Sequence, residues 1–144
     1  MNEDARRGGL DRWITFLETL NAESLPELDA LTTADVRFAD PFNDVRGRAG
    51  VRRVLDHALH SCADPRFVIE RRGLDGDLGF LRWRFDARAK WIGDFGFNGA
   101  AEILLTPEGL VKSHVEFWDG GEIYRRMPLL GGLVQAVSRR VSAS

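Results

Sequence analysis

The stretch Phe80-Leu81-Arg82-Trp83-Arg84-Phe85-Asp86-Ala87 changes side-chain character at almost every step. One set is Leu81, Trp83, Phe85 and Ala87; the other is Phe80, Arg82, Arg84 and Asp86. A period of two marks a β-strand whose two faces meet different surroundings. Working outward, Phe67 to Glu70, Gly93 to Thr106 and Leu110 to Asp119 carry the same period, separated by Gly, Asp and Pro turns. Gly76-Asp77 and Thr106-Pro107-Glu108-Gly109 are the clearest hairpin connections. These four segments predict an antiparallel meander.

Upstream, the period is helical. Trp13, Phe16, Leu17 and Leu20 predict a helix over 8–21, and Leu25, Leu28 and Leu31 a second over 25–33. Ser24, Pro26 and Glu27 read as the capping box of that second helix. Val36 to Ala39 is a short extended piece running into Asp40-Pro41, where the proline biases Asp40 away from helix. Val51, Val54, Leu55, Ala58 and Leu59 predict a third helix, stopped by Asp64-Pro65. A tail helix over 121–141, broken near Pro128 and Gly131-Gly132, completes the chain. Helices, then a meander, then a terminal helix is an α+β order, a curved sheet with helices on one face in a single domain over 1–144.

Composition agrees. A chain of 144 residues, 44% hydrophobic and 29% charged, suits one globular domain with a self-sufficient core. Twenty basic against 22 acidic residues exclude a broadly basic nucleic-acid binder. The single cysteine, Cys62, closes no intrachain disulfide and excludes a thiolate cluster. No apolar run reaches the roughly 20 residues of a membrane span, and Met1 to Asp11 lacks a signal peptide's apolar stretch. The expectation is a soluble, cytoplasmic protein with no membrane partner. His57 and His60, at i and i+3, are a weak metal signal, so no metal or cofactor is expected. Arg139-Arg140 beside Leu129, Leu130, Leu133, Val134 and Val137 read as a capping helix with a solvated end, the alternative being a membrane-surface helix.

Two alternations frame the chemistry. On the last strand, Lys112, His114, Glu116 and Trp118 oppose Val111, Ser113, Val115 and Phe117. Either the polar sets meet water, or they face a cavity beneath the helices while Leu81, Trp83, Phe85, Val115 and Phe117 form an apolar outer face for a homodimer. Trp118, at the end of the polar set, argues for the cavity. Asp40 either caps its turn with an Asx bond or forms, with Glu116, an acid–base couple. His114 is either a satisfied strand histidine or a group that tunes that couple. Trp13, Phe16, Phe42 and Trp118 are the expected apolar wall around a small apolar or amphipathic ligand.

The whole pattern resembles the SnoaL-like branch of the nuclear transport factor 2-like superfamily over about residues 10–120. The resemblance rests on the paired helices, the strand ending in Asp40-Pro41, Gly47-Arg48 opening helix three, and the meander. His114-Val115-Glu116-Phe117-Trp118-Asp119, Tyr124 and Met127-Pro128-Leu129-Leu130-Gly131 carry the closer likeness. It implies a cone-shaped sheet with helices on its concave face, shared with ketosteroid isomerases, limonene epoxide hydrolases and polyketide cyclases. By that resemblance Asp40 falls at the isomerase's general base. The isomerase's oxyanion tyrosine and aspartate are replaced by Trp13 or Phe16 and by Ala101 beside Glu102. Arg84-Phe85-Asp86 resembles the hydrolase's Arg-x-Asp pair, with Glu116 at its second acid. The water-holding tyrosine and asparagine of that family fall near Phe38 and Asp40. The resemblance thus implies carboxylate acid–base chemistry by Asp40, Glu116, His114, Arg84 and Asp86, the alternative being a non-catalytic binding or dimerisation module.

Overall fold

The meander strands pair over long, regular registers. In the computed structural model, which describes residues 2–90, 92–128 and 130–143, β3 (Ala63–Asp75), β4 (Leu78–Ala89), β5 (Gly93–Leu105) and β6 (Val111–Phe117) are successively antiparallel. β1 (Thr32–Ala39) lies parallel to β6, and the short β2 (Asp44–Arg46) turns back antiparallel on β1. The sheet is therefore mixed, six-stranded, in the order β2-β1-β6-β5-β4-β3. The helices α1 (Asn2–Glu18) and α3 (Arg48–Ser61) pack against it, with a 3-10 turn (Leu25–Glu27) and the short α2 (Leu28–Leu31) between α1 and β1. The α+β class and the helix-on-sheet layering are as the sequence implies.

The core forms where the period of α1 meets the inner face of the sheet. Leu10, Trp13, Ile14, Phe16 and Leu17 of α1 are buried against Leu81 and Trp83 of β4, Phe97, Ala101 and Ile103 of β5, and Val36 and Phe38 of β1. Each fully buried large side chain contributes about 1.5–3 kcal/mol by removal from water.

Several boundaries differ from the sequence expectation, each for a local reason. The helix expected over 25–33 is only Leu25–Leu31, because the β-branched Thr32 and Thr33 enter β1. Ser24 does not cap it. Its Oγ accepts from the Asn21 N–H, and its own N–H donates to Asn21 Oδ1, so the pair closes the preceding turn instead. β3 begins at Ala63, before Pro65, and not at Phe67: Asp64 takes a positive φ of 50° and redirects the chain after α3. Pro65 is tolerated because β3 is an edge strand. β2 was not anticipated; its three residues are too few for a periodic signal.

The tail divides around Pro128 as expected, into α4 (Gly121–Tyr124) and α5 (Leu130–Val141), but Gly131-Gly132, expected to break it too, lie within α5. Leu129 lies outside the described residues. Leu133, Val137 and Val141 of α5 are exposed, and Gly131 alone among its residues is buried. No described helix is long and apolar enough to cross a membrane.

Candidate functional site

Strand parity decides which side chains face the helices. Residues paired across strands share a face. The register Leu81↔Ala101↔Glu116 puts Leu81 and Glu116 on the same, inner side of the sheet. His114, paired with Ile103 and Phe38, lies on that side too. Val111, expected outside, is fully buried, because the pairing slips between Leu104 and Leu105.

β4 corrects the expectation. Its inward set is Leu81, Trp83, Phe85 and Ala87, and Arg84 and Asp86 point away from the helices. Arg84 donates to Asp86 from Nε and Nη2, at 2.8 Å for the shortest bond. The pair lies flat across Gly96, where a Cβ would stand 2.1 Å from Asp86 Oδ1. The Arg84 bond holds the Asp86 carboxyl below its usual range and raises the guanidinium correspondingly. Two charged groups that satisfy each other at a partly exposed surface have no reason to enter a core. The expected outer apolar set fails with them, since Leu81 and Trp83 are buried inside.

Beneath α1 and α3 is a cavity of about 210 Å³. Its walls are aromatic from the sheet (Phe38, Phe67, Trp83, Phe85, Phe97) and aliphatic from α3 (Val54, Leu55, Ala58, Leu59), with Trp118 just beyond β6. The rings touch one another: Phe97 stacks on Trp118 with centroids 4.6 Å apart, and Trp83 lies 5.2 Å from Phe67. Gly99 makes room for Trp83, for a Cβ there would sit 2.3 Å from the indole.

Three carboxylates reach this cavity: Glu18, Asp40 and Glu116. Glu116, with 14% of its side chain exposed, ends a chain of ordered donors. Trp13 Nε1–H donates to His114 Nδ1 at 3.0 Å. An indole N–H can only donate, so Nδ1 is the acceptor and the imidazole proton sits on Nε2. From there it is donated to Glu116 Oε1, at 3.1 Å. Trp118 Nε1–H donates to the other oxygen, Oε2, at 3.2 Å. Phe38 stacks on the imidazole at 4.8 Å and fixes its plane. His114 is fully buried, and each of its nitrogens is matched.

Asp40 is held differently. Its Oδ1 accepts from the backbone N–H groups of Phe42 and Asn43, at 2.8 and 2.7 Å, and from Asn43 Nδ2. It therefore makes the Asx turn while also lining the cavity. Glu18, exposed at the rim, accepts the Ile69 N–H at 3.0 Å where β3 is bulged.

Of the expected wall, only Trp118 lines the cavity. Trp13 and Phe16 are core residues stacked on each other behind it, and the half-exposed Phe42 packs on Trp118 and Tyr124. The wall residues that sequence reasoning did not assign, Trp83, Phe85, Phe97, Val54 and Leu59, were visible as apolar periodicities. What was missing was the side they faced. No α5 residue lines the cavity. Among the described residues, no group of three or more His, Cys, Asp or Glu is placed to hold a metal ion.

The model of the SnoaL-like domain matches residues 13–125. The chain belongs to the SnoaL-like domain family. No curated protein sequence matches it. Among solved structures, this SnoaL-like domain is similar to a candidate SnoaL-like polyketide cyclase from Jannaschia sp., at 11% identity and a TM-score of 0.75, covering 88% of this chain and 93% of that one. It is similar to a protein of ketosteroid isomerase-like fold from Catenulispora acidiphila, solved with trimethylamine, at 14% identity and a TM-score of 0.71, covering 83% and 93%. An epoxide hydrolase of limonene-hydrolase type from M. tuberculosis gives 18% identity and a TM-score of 0.66, covering 95% and 97%. At these identities the likeness shows the fold of the SnoaL-like domain, and activity must be argued from its own residues.

Proposed function

We propose that this SnoaL-like domain binds a small, mostly apolar molecule in the cavity and moves a proton on it with Glu116 as the base. The observation that carries this is the Trp13–His114–Glu116–Trp118 chain, which aims one ordered carboxylate into a wall of rings and aliphatic side chains. Two fixed N–H donors hold that carboxylate in one orientation, so its geometry toward a bound molecule is set in advance. Asp40 is the second carboxylate, turned toward the same space and held by backbone amides. An isomerisation or cyclisation fits better than epoxide opening, because Arg84 and Asp86 stand on the opposite face of the sheet from Glu116.

The test is solvent deuterium exchange at carbon next to a ketone. The wild-type chain with a small cyclic ketone should speed exchange, followed by proton NMR, and Glu116→Gln should lower that rate by about 10²–10⁴-fold, the usual worth of a general base. Equal rates for both proteins would remove Glu116 from the chemistry.

A second reading, a ligand-binding module without turnover, is favoured by a separate observation: both Glu116 oxygens already accept hydrogen bonds. It predicts binding without exchange. We also propose a homodimer through the outer sheet face, carried by Val68, Phe80, Val115 and Phe117; three of these, Val68, Phe80 and Phe117, are exposed.

A further inference from the structure

We infer that the ligand of the cavity carries a positive charge, as a small tertiary or quaternary ammonium group; this rests on the cavity being the binding site. Two independent features of the walls point there. The first is charge. The chain has 20 arginines and lysines and 3 histidines, yet among the described residues none of these lines the cavity, whereas Glu18, Asp40 and Glu116 all do. The histidine behind Glu116 adds no cation, because Trp13 donates to its Nδ1 and leaves a single proton on Nε2. On β4, Arg84 is spent on Asp86 on the outer face of the sheet. Each carboxylate adds to a negative potential in a site walled by low-dielectric side chains, where such a potential is felt most strongly.

The second is the ring count. Phe38, Phe67, Trp83, Phe85, Phe97 and Trp118 surround the space, and the negative faces of aromatic rings attract cations, most of all when water is displaced. Rings alone would equally suit a neutral hydrocarbon, and carboxylates alone would suit any hydrated cation. Together they select an ion that is both charged and greasy. Size narrows the class: about 210 Å³ is below the roughly 300–1,000 Å³ of drug-sized sites, so an alkylammonium head with a short chain fits and a polycyclic molecule does not.

Calorimetry of the full chain tests this with three probes of one shape. They are choline, its neutral analogue with carbon in place of nitrogen, and tert-butylacetate, which reverses the charge. Choline should bind about ten- to thirtyfold more tightly than the neutral analogue, the worth of a desolvated cation–ring contact, with tert-butylacetate weakest. Glu116→Gln should narrow the gap between choline and the neutral analogue, with choline losing more affinity than the neutral analogue does. The wild-type comparison needs no substitution, so a variant that misfolds does not spoil it. Equal binding of choline and the neutral analogue overturns the inference and leaves the cavity reading standing. Binding of none of the three by the folded chain overturns both.

Discussion

β4 and β6 belong to one sheet and alternate polar with apolar residues in the same way, yet they face in opposite senses. The inner face of β4 carries Leu81, Trp83, Phe85 and Ala87, and that of β6 carries His114 and Glu116. The difference lies in what each polar set finds to bond with. Arg84 and Asp86, two apart on one face, satisfy each other at the surface. His114 and Glu116 also bond to each other, but each further needs an N–H donor, and the two indoles supply them from inside. Alternation reports a period; the available partners set its sign.

The sharpest way to break this comparison is to cut neighbouring residues of β4. Trp83→Ala should cost about 3–5 kcal/mol, because the indole is buried and the Gly99 backbone cannot collapse into the space it leaves. Arg84→Ala, one residue along, should stay within about 0.5 kcal/mol. Urea unfolding of the two variants measures both. Similar costs would mean that β4 does not present these faces.

Much of the fold was legible, because the long strands and helices announce their period over many residues. The meander, the break of the tail at Pro128 and the inward turn of His114, Glu116 and Trp118 were all readable. The face of β4 was not. Placing Arg84 and Asp86 in the cavity followed from giving the polar set of β4 the same sense as that of β6, and from a likeness to a hydrolase motif. Burial instead follows desolvation, and a guanidinium loses more by entering a core than Trp83 does. Asp40 was left between a turn cap and a site residue, and in the structure it is both cap and cavity wall, a combination local sequence has no means to separate. The indole bond to His114 spans 101 residues and leaves no local trace.

The second test bears on the outer face that β4 and β6 share. If Phe117, about half exposed, lies at the centre of a homodimer interface, Phe117→Asp should weaken self-association by about 2 kcal/mol or more without lowering the monomer's stability. Sedimentation of both proteins over a concentration series reads this directly. A wild-type chain that stays monomeric at the highest concentration removes the dimer and leaves the outer face merely solvated.

The smallest expected effect is on the Arg84–Asp86 pair itself, and it is a matter of sign. Hydrogen bonds from Arg84 hold the folded Asp86 carboxyl below its ordinary value of 3.8. A depressed folded pKa means that the unfolded chain binds the proton more readily. The pair therefore adds stability above the unfolded carboxyl's pKa, and that contribution disappears as pH falls through the folded value. Arg84→Gln should move the Asp86 midpoint, read by carboxyl-carbon NMR, up toward 3.8, and the stability curves of the two proteins should merge at the acid end. Because the side chains are 40% and 48% exposed, raising the salt should shrink the difference. A midpoint unmoved by the substitution, or a difference that persists when Asp86 is protonated, would place the pair somewhere other than the solvated face of β4.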